Sequence, residues 1–219
     1  MRFFVLKQKI GSLDETEFEK VEPVHLVEAP RCDQCGRFVG MMRWLPPYRA
    51  LVRAHSEELG DLAFGVGASL LVSSAFRHAW ESARLRGLAR FDSLEALTIR
   101  PARFVRRASE YFHVEVNSIV ASIDEARSII DRTEPPNCNR CRSGGGIRSI
   151  RGFAIAQETW TGEDIFYPRG LPGIMVVTER VEQLAKDYSL KNVPLVPVSD
   201  FVQDPLNVYP GQPDRPIAN

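Results

Sequence analysis

Residues 28–35 read EAPRCDQC, and residues 134–141 read EPPNCNRC. The chain writes Glu-(Ala/Pro)-Pro-x-Cys-x-x-Cys twice and has no other cysteine. A Cys-x-x-Cys turn sets two sulfurs on one side of a tight loop. Two such turns supply the four sulfurs of a closed tetrahedral metal site. Gly36 follows the first pair, where a sharp knuckle needs a permissive backbone. Pro30 and Pro136 stiffen the approach to each loop. A zinc ribbon places its second pair about 15–20 residues after the first. Here the second pair waits until Cys138 and Cys141, so the site has to tie distant segments together. The expected ligands are Cys32, Cys35, Cys138 and Cys141, and the expected ion is a structural Zn2+, because four protein sulfurs leave no open position. Two other readings stay open. A redox dithiol or disulfide calls for an accessible, low-pKa cysteine in a thioredoxin-like setting; the thiols can also be unconnected.

Outward from the cysteines, other features recur at nearly the same offset. FFVLKQ (from Phe3) has a rough counterpart in YFHVEV (from Tyr111), both strand-like in their aromatic and branched residues. LVSSAFRHAWESARLRGL, from Leu71, stands against VVTERVEQLAKDYSLKNV, from Val176. Each starts as a short apolar strand and then offers a hydroxyl, Ser73 or Thr178, as a helix N-cap. Phe76, Ala79, Trp80 and Ala83 fall on one helical stripe, as do Val181, Leu184, Ala185 and Tyr188. Gly87 and Asn192 then stand where a left-handed residue suits the end of the helix. Apolar segments follow, LTI at Leu97 and PLVPV at Pro194. This pattern predicts an α+β fold of two related halves, 1–105 and 106–219, each with mixed or antiparallel strands and packed helices, joined by the four-cysteine zinc clasp into one unit. The first half inserts an expected helix, PPYRALVRAHSEEL, and the second an expected hairpin, GFAIAQE with DIFYP. From Pro205 the chain is Pro-rich and reads as an irregular strap.

The totals exclude several classes. At 219 residues, 44% hydrophobic and 26% charged, the chain can bury a core. The N-terminal apolar run is too short for a signal-peptide core, and GVGASLLVSSAF falls short of the roughly 18 apolar residues of a membrane span. A cytoplasmic location follows as the expectation, where reduced thiols suit metal binding. Net charge is zero, which argues against a nucleic-acid partner. Local arginines (Arg140, Arg142, Arg148 and Arg151; Arg100, Arg103, Arg106 and Arg107) can still contact phosphates or simply be solvated. The glycine run SGGG lacks the Lys-Ser/Thr ending of a P-loop. An acidic stretch with Asp14, Glu15, Glu17, Glu19 and Glu22 is either a steering surface or a solvated element. His25, His55, His78 and His113 are scattered and read as surface or packed histidines, and Trp44, Trp80 and Trp160 as packing residues. Glu163 and Asp164 have no assignable acid–base partner, and no catalytic set and no cofactor-binding set is expected.

CDQCG at Cys32, CNRC at Cys138 and the C-terminal block WTGEDIF…GIMVVTERVEQLAKDYSLKNVPLVPV resemble the double-CXXCG motif proteins, a paralogous family of myxobacteria. Arg142 stands where a glycine would complete the second motif. The resemblance implies an immunity protein that binds and neutralises a cognate protein toxin through surface complementarity. The alternative is a zinc-dependent nucleic-acid-binding or regulatory module that uses the arginines near Cys141.

Overall fold

The run Phe3-Phe4-Val5-Leu6 has no polar residue to turn toward water, and it forms β1 (Phe3–Leu6), a strand buried on both faces. The computed structural model describes residues 1–8, 15–55, 57, 59–101 and 110–204. β1 lies between β16 (Val176–Thr178) and β17 (Leu195–Pro197) in a six-stranded sheet. That sheet continues past β16 through β15 (Ile165–Arg169), β11 (Ser118–Ile123) and β14 (Ile155–Ala156). A seven-stranded sheet starts with β8 (Leu88–Ser93), β10 (Tyr111–Val116), β7 (Ser69–Ser73) and β6 (Leu62–Gly65). It ends with β2 (Thr16–Lys20), β5 (Arg49–Ala54) and β9 (Ala96–Arg100). Two small sheets join β12 (Ile130–Arg132), β13 (Ile147–Arg151) and β18 (Val202–Gln203), and β3 (His25–Val27) with β4 (Arg43–Leu45). The α-helices among the described residues are α1 (Ser74–Ser82) and α2 (Glu179–Asp187).

Side chains alternate across each strand, and the alternation divides the core. Phe4, Leu70, Val72, Phe112, Ile165 and Val177 share a central cluster with Phe76 and Trp80 of α1 and Val181 and Leu184 of α2. Phe3, Val5, Phe166 and Val176 point the other way, toward Ile150, Phe153 and Phe201. Leu71, Tyr111 and Val52 pack with Trp44 and Tyr48 on the outer face of the larger sheet. Each fully buried large apolar side chain is worth about 1.5–3 kcal/mol, so both sheets are held from two sides.

The expected α+β fold of two consecutive halves, 1–105 and 106–219, is overturned. The structure is mostly β, with 41% strand and 15% helix. The sheets also interleave the chain: β1 pairs with β16 and β17, whereas β10 pairs with β7 and β8. Part of the error is propensity. PPYRALVRAHSEEL is rich in good helix formers, yet Arg49–Ala54 is β5, with Ala50, Val52 and Ala54 buried in strict alternation. Its outward Arg53 pairs with Glu19 of β2, and Arg49 with Glu95 just before β9. The expected hairpin also fails. β11 stands between β14 and β15, antiparallel to the first and parallel to the second. The Pro-rich tail from Pro205 lies outside the described residues.

What recurs is an order of strands. β6-β7-β10-β8 in one sheet matches β15-β16-β1-β17 in the other, with β2 parallel to β6 and β11 parallel to β15. Phe112 opposite Val72 corresponds to Phe4 opposite Val177. The helices end alike. Leu85 N–H bonds to Trp80 O and Leu190 N–H to Ala185 O, with Arg84 and Ser189 left-handed between. The expected stripes are buried at Phe76, Ala79, Trp80, Val181 and Leu184, but Tyr188 is exposed. Ser73 caps α1 by accepting the Phe76 N–H at 3.1 Å. Thr178 does not cap α2; its hydroxyl donates to Asp164 instead, at 2.8 Å.

Two aspartates stitch the sheets reciprocally. Asp61, before β6, donates its N–H to Lys191 O (2.8 Å) and accepts the Lys191 N–H (2.7 Å) beyond α2. Asp164, before β15, donates to Arg86 O (2.7 Å) and accepts the Arg86 N–H (2.9 Å) beyond α1. Asp164 is wholly buried and also accepts from Arg180 at 2.9 Å. Gly87, φ +112°, passes so close to β15 that a Cβ would lie 2.0 Å from Ile165 O. Its counterpart Asn192 donates its side-chain amide to Leu62 O at 2.7 Å.

Candidate metal centre

Each Cys-x-x-Cys loop is closed by one backbone hydrogen bond, Gly36 N–H to Cys32 O and Arg142 N–H to Cys138 O, both 2.9 Å. The residue after the second cysteine is left-handed in both, φ +73° at Gly36 and +58° at Arg142. The second turn thus forms without its glycine, at a cost of roughly 1–2 kcal/mol for a residue with a Cβ.

The two loops meet. Cys32 Sγ lies 3.8 Å from Cys138 Sγ, and Cys35 Sγ lies 3.6 Å from Cys141 Sγ. All four sulfurs fall within 4.8 Å of one another. A tetrahedral ion with metal–sulfur bonds of about 2.3 Å needs sulfur–sulfur edges of about 3.8 Å. Disulfides need about 2.05 Å, and all four cysteines are free thiols. The four sulfurs can therefore hold one metal ion. Cys32, Cys138 and Cys141 are buried around Val39, and Cys35 is exposed.

Polar contacts brace the loops against each other. Arg37 donates to the carbonyls of Ser143 (3.2 Å) and Gly144 and lies 3.6 Å from the Glu134 carboxylate. Arg140 meets Asp33 at 3.3 Å, but both side chains are exposed, so this pair contributes little. The thiols themselves share charge unequally. Cys138 is pulled down to about 6, first by the backbone N–H of Cys141 and then, against desolvation, by that of Arg140. The Arg37 N–H acts to lower Cys35, yet desolvation and bonds to the other three thiols push it up to about 12. A divalent cation removes this conflict by favouring every thiolate at once.

The remaining candidates disperse. Arg148 pairs with Asp131 at 2.7 Å, while Arg103, Arg106 and Arg107 lie outside the described residues. The acidic stretch is not an open patch: Glu15 is buried, Glu17 and Glu19 sit in β2 near His55 and Arg53, and the Glu22 carboxylate accepts the Val24 N–H. Asp14 lies outside the described residues. Glu163 accepts from the Thr161 hydroxyl, and Asp164 serves the sheet junction. Trp44 and Trp80 are core residues, and Trp160 packs edge-on to Phe3.

His25, His55 and His78 are exposed, but His113 is buried, stacked on Tyr48 with centroids 4.7 Å apart. Its Nδ1 lies 3.7 Å from Asp92. Burial pushes its pKa down to about 4, against the raising effect of Asp92 and Glu115, and Lys20 adds to the lowering. Above about pH 6.5 the ring is neutral folded or unfolded, so it contributes no slope. Between pH 6.5 and 4 the unfolded chain takes up a proton that the folded chain refuses, and stability falls. Denaturant titration should show wild type losing about 2–3 kcal/mol more than His113→Phe between pH 7 and pH 4. Equal losses would remove His113 as the cause.

Sequence reading missed the stitching pair. The signal was present: Asp-Leu-Ala-Phe at 61–64 and Asp-Ile-Phe-Tyr at 164–167 share one pattern. Among the described residues, no helix is long and apolar enough to cross a membrane.

Fold and site together define a mostly β protein with a four-cysteine cluster that can hold a metal ion. No family model matches the chain, and no curated protein matches it.

Proposed function

We propose that this is a cytoplasmic, zinc-braced immunity protein that binds and neutralises a cognate protein toxin. The carrying observation is the closed donor set: four protein sulfurs at tetrahedral spacing, with no coordination position left for a substrate. A sulfur-only tetrahedral set favours Zn2+ or iron, and buried zinc acts here by holding two distant loops together. The resemblance at both cysteine motifs and the C-terminal block supplies the toxin-binding part of the reading. The nucleic-acid alternative draws on the arginines near Cys141, and two of these, Arg140 and Arg148, are already ion-paired.

The test is co-expression in a host carrying the toxin encoded beside the gene. Restored growth together with a stable complex of the two proteins is the expected result. Continued killing, with no complex at micromolar concentrations, would overturn the reading.

A further inference from the structure

The loop that carries Cys32 and Cys35 also builds the wall of an apolar groove of about 750 Å³. Val39 turns inward onto the sulfurs, while its neighbours Phe38, Met41 and Met42 line the groove. Among the described residues, four of the exposed large apolar side chains gather here: Leu26 (45%), Phe38 (46%), Met42 (56%) and Val66 (87%). Isolated exposed apolar residues are ordinary, but a contiguous group marks an interaction surface. Two methionines add an adaptable lining.

The charges at the groove say what fits it. Glu28 is held by Arg31 at 2.5 Å, and Glu19 by Arg53 at 2.9 Å. Lys20 has no carboxylate partner among the described residues; its ammonium lies over the Trp44 ring, 5.5 Å from the centroid. Burial also lowers its pKa, so an anion brought beside it would recover part of the lost solvation. One unpaired cation is too few for a nucleic-acid backbone. It is likewise too few for an anionic membrane, which clusters of several basic residues bind. Small-molecule sites bury most of their ligand, whereas the apolar side chains here stay 45–87% exposed along an open rim, a surface suited to a polypeptide.

We infer that this groove is the docking surface for a polypeptide segment that presents apolar side chains beside an acidic one, the acidic group seated over Lys20. The metal clasp holds the wall of that surface in shape. This rests on the proposed toxin-binding role and names the surface that performs it.

The experiment uses the full-length, zinc-loaded protein and two short fluorescent amphipathic peptides. Both carry Leu and Phe at helical spacing; one has Asp and Glu on its polar face, the other Lys. Anisotropy should show binding of the acidic peptide, weakened about tenfold or more by Val66→Asp or Met42→Asp. Lys20→Glu should abolish binding of the acidic peptide and admit the basic one. Stripping the metal with a chelator should weaken binding as well. Val66 and Met42 are exposed, so unchanged melting of these variants checks that they fold. Equal binding of the two peptides, binding of neither, or binding unaffected by all three variants would overturn the proposal. So would displacement of the acidic peptide by phosphatidylglycerol vesicles. The co-expression test separates this surface from the wider role. If wild type and all three variants rescue growth equally, the groove is refuted and the immunity reading stands. If the acidic peptide binds as described but wild type gives no rescue, the immunity reading falls and the groove stands.

Discussion

Cys138→Ser is expected to empty the metal site and to destabilise the protein by at least about 5 kcal/mol, because apparent zinc binding in small Cys/His sites is worth roughly 10 kcal/mol or more. For a chain of this size that is a fall in melting temperature of roughly 10–20 °C. Cys138 supplies a buried sulfur from the second loop, and Cys32, 3.8 Å away, supplies one from the first. Losing either removes one vertex of the tetrahedron and disturbs the packing of Val39 on the sulfurs. Elemental analysis should give one zinc per chain in the wild type and none in the variant, with thermal denaturation of both. A metal-free Cys138→Ser protein that melts with the wild type would dismiss the bracing role.

Asp164→Ala is expected to cost about 2–4 kcal/mol, since it leaves buried donors without their acceptor. The carboxylate has no solvent contact and serves three donors at once, the Thr178 hydroxyl, the Arg86 N–H and the Arg180 guanidinium. Alanine leaves the Thr178 hydroxyl and the Arg86 N–H without an acceptor, whereas the half-exposed Arg180 guanidinium can turn to water. Asn would keep one acceptor and lose less. Because Asp164 ties the segment after α1 to β15, amide exchange should rise at Arg86 and Thr178 together. A loss below about 1 kcal/mol would show that water or another group takes its place.

Local signals were legible in the sequence, and long-range ones were not. Two Cys-x-x-Cys turns name their own candidate ligands because the chemistry sits within four residues, and the structure brings these sulfurs within 4.8 Å of one another. YFHVEV matches β10 from end to end, and the stripes at Phe76 and Val181 mark the buried faces of both helices. β5 was hidden because Arg, Ala and Leu favour helix when nothing else decides. Here the neighbours β2 and β9 decide, through partners at Glu19 in β2 and Glu95 just before β9. The interleaving was hidden for the same reason: which strand β1 meets is set by contacts more than a hundred positions away, and no window of sequence contains them. The groove was invisible because Lys20, Phe38 and Val66 become neighbours only once β2, the first knuckle and the β6–β7 turn are folded together.

The exchange of β1 and β10 between the sheets has a practical outcome. If the polypeptide were severed between Arg100 and Glu110, each fragment would hold an incomplete sheet and half of the sulfur cage. Neither piece would have a finished architecture to adopt alone. Mixed with a metal ion that the four sulfurs can hold, they are expected to reconstitute one object, whose reassembly would report the ion and both parts at once.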